Sequence, residues 1–277
     1  MSSEREVAEV AIVRQKRLND HSHEHGPFDV IGDIHGCRSE LETLLTELGY
    51  TTARDDLDRS VDAHNEGRKA VFVGDLVDRG PDSAGVLRLV MGMVTNGHAL
   101  CVSGNHENKL MRALRGRNVQ LTHGLAETLA QLQRETLEFR NATAKFCHDL
   151  DPHLVLDDGQ LVIAHAGLKE AYHGLATSRS RSFALYGDTT GETDEFGLPV
   201  RFPWVDDYAG SAMVLYGHTP TPWPEWVNNT LCLDTGCVFG GKLTALQYPE
   251  RRLVSVPAET VWYEATKPFP TVSKAGG

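Results

Sequence analysis

Three short apolar stretches of the chain each end in a glycine that is followed at once by polar side chains. They read FDVIGDIHG (residues 28–36), VFVGDLVDRG (71–80) and ALCVSGNHE (99–107). Runs rich in β-branched residues predict buried strands, and each glycine marks the point where a strand passes into a loop. Because ligands bind at the carboxyl ends of strands in open α/β sheets, three such loops in one chain predict one shared site.

Helical and strand patterns alternate along the rest of the chain. Apolar residues at helical spacing predict a helix that begins near Ser39 and ends at Gly49, and a second helix that follows Pro81. Helical periodicity over residues 108–150 predicts a helical cap beside the sheet. Residues 51–67 are polar and are predicted to be loop.

Strand patterns return after the helical region. The turn formed by residues 157–159 predicts a hairpin, and the chain from residue 211 onward is rich in strand patterns. Residues 178–210 contain no convincing periodic element, and a loop of that length in a compact domain is usually functional. Strands before and after the helices predict an α/β (α+β) fold of two packed sheets flanked by helices.

The chain of 277 residues is long enough for a sizeable core. We expect residues 1–25 to form a polar N-terminal extension with a short helix over 5–17, and ordered structure to begin near Pro27. Residues 26–263 are predicted to form the folded domain, and residues 264–277 a C-terminal tail.

Composition excludes several classes of protein. No apolar run reaches membrane-spanning length and the N-terminus lacks the apolar core of a signal peptide, so we expect a cytoplasmic protein with no membrane partner. Five scattered cysteines are expected to be free thiols. The net charge of −11 argues against a large basic surface for nucleic acid, but not against an enzyme that acts on one terminal phosphate beside two divalent ions.

Six side chains at five strand ends are candidate metal ligands. Asp33 and His35 stand two positions apart after the first strand, a spacing that points both side chains the same way. Asp75 belongs to the central stretch and is the expected bridge between two ions. Mixed oxygen and nitrogen donors suit Mn²⁺, Fe or Zn better than a thiolate zinc site does. The complete set is Asp33, His35, Asp75, Asn105, His165 and His218.

The residues next to these ligands suggest hydrolysis of a phosphate ester. Two divalent ions about 3.5–4 Å apart clamp a phosphate and supply a bridging hydroxide for in-line attack on phosphorus. His106 is expected to protonate the leaving oxygen as general acid, with Asp78 orienting its imidazole. Arg79 offers a planar fork to phosphate oxygens. Considered without their neighbours, Asp78 and Arg79 would be explained equally well by an ion pair within a turn.

Arg201, within the long 178–210 stretch, is a further candidate for phosphate binding. The alternative is a loop arginine that forms an ion pair with Glu195 or Asp206. The sequence leaves both interpretations open.

The motifs GDIHG, GDLVDRG, GNHE, HAG and GH, in this order, resemble those of the phosphoprotein-phosphatase branch of the calcineurin-like metallophosphatases. This resemblance implies a sandwich of two mixed β-sheets flanked by helices. It assigns one ion to Asp33, His35 and Asp75. The second ion would be held by Asp75 together with Asn105, His165 and His218. HAG replaces the HGG of many protein phosphatases, which weakens the link to protein substrates.

A closer resemblance covers nearly the whole chain. The stretches HEHGPFDVIGDIHGC, GDTTGETDEFGLPVRFPW and WVNNTLCLDTGCVFGG are similar to the phosphatase module of bacterial polynucleotide kinase–phosphatase, an RNA end-healing enzyme. This implies removal of 2′-phosphate, 3′-phosphate or 2′,3′-cyclic phosphate from RNA ends, with Mn²⁺ as the first choice of metal and Ni²⁺ or Co²⁺ as alternatives. Arg79, Asn105 and Arg201 would contact the phosphate. A kinase and a ligase module are expected partners if the chain is an excised module rather than a free-standing relative.

Other functions fit the same residues. A bis(5′-nucleosyl)-tetraphosphatase or a Ser/Thr protein phosphatase would use the same two metals. A catalytically silent module that grips RNA ends would be expected to lack ligands or the acid, yet every expected position is filled.

Overall fold

The structure is a computed structural model that describes residues 19–269. In this range the helices are α1 (Arg38–Glu47), α2 (Ser83–Thr95), α3 (Asn105–Leu114), α4 (Leu125–Gln133), α5 (Leu137–Asp149) and α6 (Ser178–Tyr186). The strands up to the middle of the chain are β1 (Phe28–Ile31), β2 (Thr51–Arg54), β3 (Ser60–His64), β4 (Lys69–Phe72), β5 (Ala99–Cys101), β6 (His153–Leu156) and β7 (Leu161–Ala164). The remaining strands are β8 (Thr189–Thr193), β9 (Pro199–Arg201), β10 (Met213–Tyr216), β11 (Trp226–Val227), β12 (Thr230–Cys232), β13 (Lys242–Tyr248) and β14 (Arg252–Pro257).

The strands form two mixed five-stranded sheets, which confirms the predicted fold class. The first sheet has the order β14-β13-β1-β4-β5. Strands β1, β4 and β5 are parallel to one another, and β13 is antiparallel to both of its neighbours, β1 and β14. The second has the order β11-β12-β10-β7-β6, in which β7, β10 and β12 are parallel. The predicted hairpin between β6 and β7 is present, with the turn at Asp157–Gly159.

Alternation along the strands creates the layers of the sandwich. In β1, Phe28 and Val30 pack between the two sheets, whereas Ile31 packs toward the helices. In β4, Val71 faces the second sheet and Phe72 faces the helices. Because successive side chains of a strand point to opposite faces, the central strands β1 and β4 are buried on both sides. Adjacent apolar residues in these strands, such as Val30 with Ile31 and Val71 with Phe72, are therefore all buried.

Helices α1 to α5 cover the outer face of the first sheet, whereas α6 packs on the second sheet through Phe183 and Ala184. Helix α1 buries its predicted leucine face, and Asp82 caps α2 by accepting a hydrogen bond from the Gly85 amide at 2.7 Å. Helices α3, α4 and α5 form the predicted helical cap and pack on the same core through Leu110, Leu125 and Cys147. No helix among the described residues is long and apolar enough to cross a membrane. All five cysteines are free and buried, as expected for the thiols.

The prediction of a loop over residues 51–67 is wrong, because β2 and β3 pair there as an antiparallel hairpin. The hairpin lies outside both sheets, so it does not need the continuous apolar face that a sequence pattern would reveal. It is attached to the domain by Ala63, which is buried in the helix-side core, and by polar contacts with α2 and its neighbourhood. Asp62 accepts hydrogen bonds from Asn96 at 2.8 Å and pairs with His98 at 3.0 Å.

Residues 178–210 contain more regular structure than the pattern suggested. Helix α6 begins with a capping box between Thr177 and Ser180 and buries Phe183 and Ala184. Strands β8 and β9 form a separate hairpin whose residues are largely exposed, so its sequence carries no apolar alternation. This element is called the flap below and comprises residues 189–201.

The two ends of the described chain are packed on the domain. Asn19 is buried, Asp20 forms a bridge with Val155, and His21 Nε2 lies 2.9 Å from Asp151, so packed structure begins before the expected Pro27. Phe269 packs against the helix-side core, so part of the predicted tail is attached to the domain. The helix predicted over residues 5–17 lies outside the described residues.

Candidate metal centre

The topology brings the glycine-ended loops to one place. Strands β1, β4 and β5 are parallel neighbours, so the loops that follow them open at one edge of the first sheet. These loops carry Asp33, Asp75 and Asn105. His165 and His218 follow β7 and β10, which are parallel neighbours in the second sheet. The candidate ligands therefore come from both sheets.

Asp75 lies at the centre of the candidate ligands. Its Oδ2 atom is 3.3 Å from His165 Nε2, 3.6 Å from His35 Nε2 and 3.9 Å from His106 Nε2. Two groups of ligand atoms, each within 4.8 Å of one another, share this residue: Asp75 with His35 and His106, and Asp75 with His165 and His218. This arrangement is the one that a carboxylate bridge between two ions would need.

Hydrogen bonds to the backbone fix two of the imidazoles in a ligating orientation. The Nδ1–H of His35 donates to the Val77 carbonyl at 2.9 Å, and the Nδ1–H of His165 donates to the Val73 carbonyl at 3.1 Å. A carbonyl can only accept, so in the neutral rings Nε2 keeps its lone pair and points toward Asp75. Histidines that bind metals are typically held in this way, and the residues present fit a divalent ion.

The loops that carry Asp33 and His218 are joined directly. Asp33 Oδ2 accepts a hydrogen bond from the His218 amide at 2.9 Å. Among the described residues, Asp33 Oδ1 and His218 Nε2 are buried without a hydrogen-bond partner, and Asp33 belongs to neither of the two ligand-atom groups. A Cβ atom at Gly217 would lie 1.7 Å from Asp33 Oδ1, so only glycine allows the carboxylate to approach this turn. A buried carboxylate oxygen with no partner is typical of a cation ligand.

Asn105 completes the second group. Its Oδ1 atom lies 2.9 Å from His165 Nε2, and His165 Nε2 lies 3.0 Å from His218 Nδ1. An amide oxygen and two imidazole nitrogens thus converge beside the Asp75 carboxylate. All six predicted ligands lie at the same edge of the sandwich.

The buried carboxyl groups of the site would be stabilised by a nearby positive charge. Burial raises the pKa of Asp33 well above its usual range, and nearby Asp234 adds to the rise. Burial would also raise the pKa of Asp75, but His165 and His106 outweigh it and hold that pKa well below its usual range. Burial lowers the pKa of His165 whereas Asp75 raises it, and the balance is a rise to about 9. A divalent cation would place positive charge among these carboxyl groups.

A histidine held by a carboxylate stands next to the candidate ligands. His106 Nδ1 donates to Asp78 Oδ2 at 2.6 Å, and both side chains are buried. Because Nδ1 is engaged, Nε2 is the atom that faces the site. The Arg79 guanidinium donates to His35 Nε2 at 2.7 Å and its central carbon lies 5.3 Å from the centre of the Phe239 ring.

Backbone strain is concentrated at these residues. Among the described residues with positive φ, five are candidate site residues: His35 (46°), Asp75 (51°), Asp78 (72°), Arg79 (69°) and His218 (73°). Side chains other than glycine seldom adopt this conformation, and where they do the surrounding structure must stabilise it. The strain turns these side chains toward the shared edge of the sheets.

Two acidic residues of the site were missed by sequence reasoning. Glu107 is buried and accepts hydrogen bonds from the amides of Gly104, Asp75 and Leu76 at 2.8–2.9 Å, so it fixes the loop that presents Asp75. Asp234 lies beside Asp33, and burial raises its pKa to about 6. Asp234 follows a strand and is itself followed by Gly236, a strand-end position similar to those of the first three loops although the glycine comes after the acid, and this is the signal that could have revealed it.

Three of the candidate ligands, Asp75, Asn105 and His218, form part of the floor of a cleft of about 680 Å³. The flap lines one side, and residues 263–269 line another. Arg201 faces this cleft from the flap and donates a hydrogen bond to the Tyr186 carbonyl. Among the described residues no carboxylate lies within ion-pair distance of Arg201, so the alternative pairing with Glu195 or Asp206 is not observed. Its charge is available to a ligand in the cleft.

Two sheets with convergent metal ligands at their shared edge define a metal-dependent hydrolase. The model of the calcineurin-like phosphoesterase family matches residues 26–254, and the chain belongs to this family. Its reaction class is therefore the metal-dependent hydrolysis of phosphate esters. The family uses a pair of divalent ions, for which the structure contains candidate ligands.

Similar proteins share both sequence and fold. The chain is 47% identical over 244 residues to bis(5′-nucleosyl)-tetraphosphatase PrpE [asymmetrical] of Anoxybacillus flavithermus, covering 87% of this chain and 97% of the relative. It is 43% identical over 242 residues to the protein of the same name in Bacillus subtilis, covering 86% and 97%. The crystal structure of a proposed diadenosine tetraphosphatase aligns with a TM-score of 0.61 at 24% identity over 87% of this chain and 98% of that one. The last similarity shows the fold alone.

Proposed function

We propose that this protein is a dinucleoside tetraphosphatase that cleaves the bridge between two nucleosides asymmetrically, to give a nucleoside triphosphate and a monophosphate. The observation that carries the proposal is the 47% identity to a tetraphosphatase so named, over 97% of that relative's length. This was the alternative to RNA end repair in the sequence interpretation. The relatives named above support a tetraphosphatase better than they support phosphate removal from RNA ends.

The cleft supports a substrate much larger than a single phosphate group. Its volume of about 680 Å³ lies within the range of 300–1,000 Å³ that is usual for small-molecule sites. Arg79 and Arg201 both line it, so guanidinium groups are available at two places along a chain of phosphates. Arginine is well suited to this task because its planar fork can bind two phosphate oxygens at once.

The residues of the site have separable tasks in this proposal. Bound divalent ions, for which Mn²⁺ is the proposed metal, would activate the attacking water and neutralise phosphate charge. His106 donates the proton from Nε2 to the leaving oxygen, while Asp78 holds its ring through Nδ1 and stabilises the charged imidazolium. Arg79 leaves His35 to bind a phosphate oxygen, and Asp75, Asn105 and the ligating histidines hold the ions.

Phosphate removal from RNA ends remains the second candidate. It is favoured by the similarity of the quoted stretches to the end-healing phosphatase module. The two reactions differ in the leaving group, because an anhydride bond releases a phosphate oxygen whereas an RNA end releases a ribose hydroxyl. The phosphate oxygen needs less protonation, so the two candidates depend on His106 to different degrees.

The direct test offers the Mn²⁺-loaded protein three substrates at equal concentration: diadenosine tetraphosphate, RNA with a 2′,3′-cyclic phosphate end, and a phosphoserine peptide. We expect kcat/KM to be highest for the tetraphosphate, with ATP and AMP released in equal amounts on chromatography. Release of ADP alone would contradict asymmetrical cleavage. A higher kcat/KM for the RNA end would replace the proposal by the second candidate.

A further inference from the structure

One wall of the cleft is aromatic, although phosphate chemistry does not require aromatic groups. The wall is formed by Phe239, Tyr263 and Phe269, all of which line the cleft. The Phe239 ring centre lies 6.5 Å from that of Tyr263 and 6.1 Å from that of Phe269. These three residues are called the aromatic wall below.

The aromatic wall lies next to Arg79, the group that is expected to bind phosphate. The Arg79 guanidinium carbon lies 5.3 Å from the centre of the Phe239 ring, and Arg79 also reaches His35 in the metal site. A ligand whose phosphate contacts Arg79 therefore extends toward the aromatic rings if it leaves the floor of the cleft on this side. Lys267 also lines the cleft and adds an exposed positive charge near the wall.

The chain segment that carries two of these rings is firmly attached. The amides of Trp262 and Tyr263 donate to the Val238 carbonyl at 3.1 and 3.0 Å. The Trp262 indole donates to the buried Glu40 carboxylate at 2.7 Å. Val238, whose carbonyl accepts these two hydrogen bonds, and Phe239 belong to the same short turn, Cys237–Phe239. The hydrogen bonds therefore hold the segment against this turn.

Phe269 is positioned by the absence of side chains beneath it. A Cβ atom at Gly236 would lie 2.4 Å from the Phe269 ring, and one at Gly241 would lie 2.9 Å from it. The ring thus lies directly on a glycine surface while its other side contributes to the cleft. The ring is half-buried, and it presents apolar surface to the cleft.

We propose that the aromatic wall is a base-binding subsite that stacks one nucleobase of the substrate. The inference rests on the proposed function, which it deepens by giving one nucleoside a place in the cleft. Nucleobases stack on aromatic side chains with little regard for sequence, because every base has a π-face. Leu198, Pro199 and Val200 of the flap also line the cleft and add apolar surface to it.

A phosphopeptide would use such a wall differently. An extended peptide is recognised through its backbone as well as its side chains, whereas the stacking proposal requires only a planar ring linked to phosphates. Comparison of ligands with and without a base, at equal phosphate content, separates these two cases. It does so without any assumption about which bond the protein cleaves.

The experiment substitutes leucine for two rings of the wall, Tyr263→Leu and Phe269→Leu, which removes the π-face and keeps apolar volume. The matched control is Phe139→Leu, because Phe139 is also a half-buried phenylalanine on the same core, lies under Arg88 at 4.4 Å and does not line the cleft. The quantity compared is kcat/KM for diadenosine tetraphosphate divided by kcat/KM for p-nitrophenyl phosphate. We expect each wall variant to lower this ratio about tenfold and the control to leave it within about twofold.

A binding measurement keeps the inference testable even if diadenosine tetraphosphate is not a substrate. Isothermal titration of the wild type with ATP and with inorganic tripolyphosphate is expected to show tighter binding of ATP, and Phe269→Leu is expected to reduce that difference. Equal binding of the two ligands by the wild type would overturn the subsite. A kinetic ratio that stays unchanged in both wall variants would overturn it while leaving the proposed function intact, whereas failure of the wild type to cleave the tetraphosphate would overturn the function alone.

Discussion

At the scale of single residues, the function depends on which nitrogen of each histidine is free. In His35 and His165, Nδ1 donates a hydrogen bond to a backbone carbonyl, and in His106 it donates to Asp78. Nε2 therefore faces the site in all three. The sequence could place these histidines at strand ends, but it could not show this choice. Of the three, only His35 has a left-handed backbone conformation, and such conformations leave no clear sequence pattern outside glycine.

The proposed acid role of His106 predicts a dependence on the leaving group. His106→Ala should reduce kcat about 10²–10⁴-fold for phenyl phosphate, whose leaving oxygen needs a proton. The loss should be much smaller for p-nitrophenyl phosphate, because p-nitrophenolate leaves without protonation. Steady-state kinetics with both esters measures the difference, and equal losses on the two would remove the acid assignment.

The shared position of Asp75 predicts that one substitution affects both metals. Asp75→Asn removes the charge between the two ligand groups, so we expect loss of bound Mn²⁺ together with a fall in kcat/KM of more than about a hundredfold. Metal content by elemental analysis and activity are measured on the same sample. Asp188→Asn, at a partly exposed ion pair with Lys169, is the control that should retain both. An Asp75→Asn protein that kept two ions would refute the bridge.

At the scale of elements, the flap shows where sequence patterns lose their power. Strands β1, β4 and β5 were predictable because they are buried on both faces and carry continuous apolar runs. Strands β8 and β9 are paired only with each other and face solvent, so nothing in their composition distinguishes them from loop. The hairpin of β2 and β3 was missed for another reason, because two of the buried residues of β3, Ser60 and Asp62, are polar.

The position of Arg201 on the flap predicts a binding effect. Arg201→Ala should raise KM for diadenosine tetraphosphate about tenfold or more, since hydrogen bonds from a charged donor contribute about 1.5–3 kcal/mol. Arg201 faces the cleft, whereas Arg179 is exposed on α6 and lies outside it. Arg179→Ala is therefore the control and should leave KM unchanged. Equal KM values in the wild type and Arg201→Ala would exclude Arg201 from phosphate binding.

At the scale of the whole molecule, the site joins the two sheets. Asp33 from the first sheet accepts a hydrogen bond from His218 of the second, and Asp75 lies beside His165 in the same way. The sequence motifs predicted the candidate ligands and indicated the calcineurin-like family, because motif residues are local. The substrate walls could not be derived, because the aromatic wall and the flap are brought to the cleft only by tertiary packing.

This position predicts that bound cations stabilise the fold. Ligands that bind only the native state stabilise it by mass action, by about 2.7 kcal/mol at a hundredfold excess over Kd. For a domain of this size, that corresponds to a rise in Tm of about 5–10 °C. Differential scanning fluorimetry with increasing Mn²⁺ measures the rise, and a chelator should reverse it. The same shift in Asp75→Asn would show that the ions bind elsewhere.

The floor of the cleft and its walls come from different segments of the chain, so they can change separately in evolution. The ligand-bearing loops are anchored in both sheets, so altering them would disturb the reaction itself. The flap and residues 263–269 lie outside the two sheets, yet they border the cleft. Exchanging the flap and residues 263–269 between relatives can therefore change substrate preference, while the candidate metal ligands and His106 stay the same.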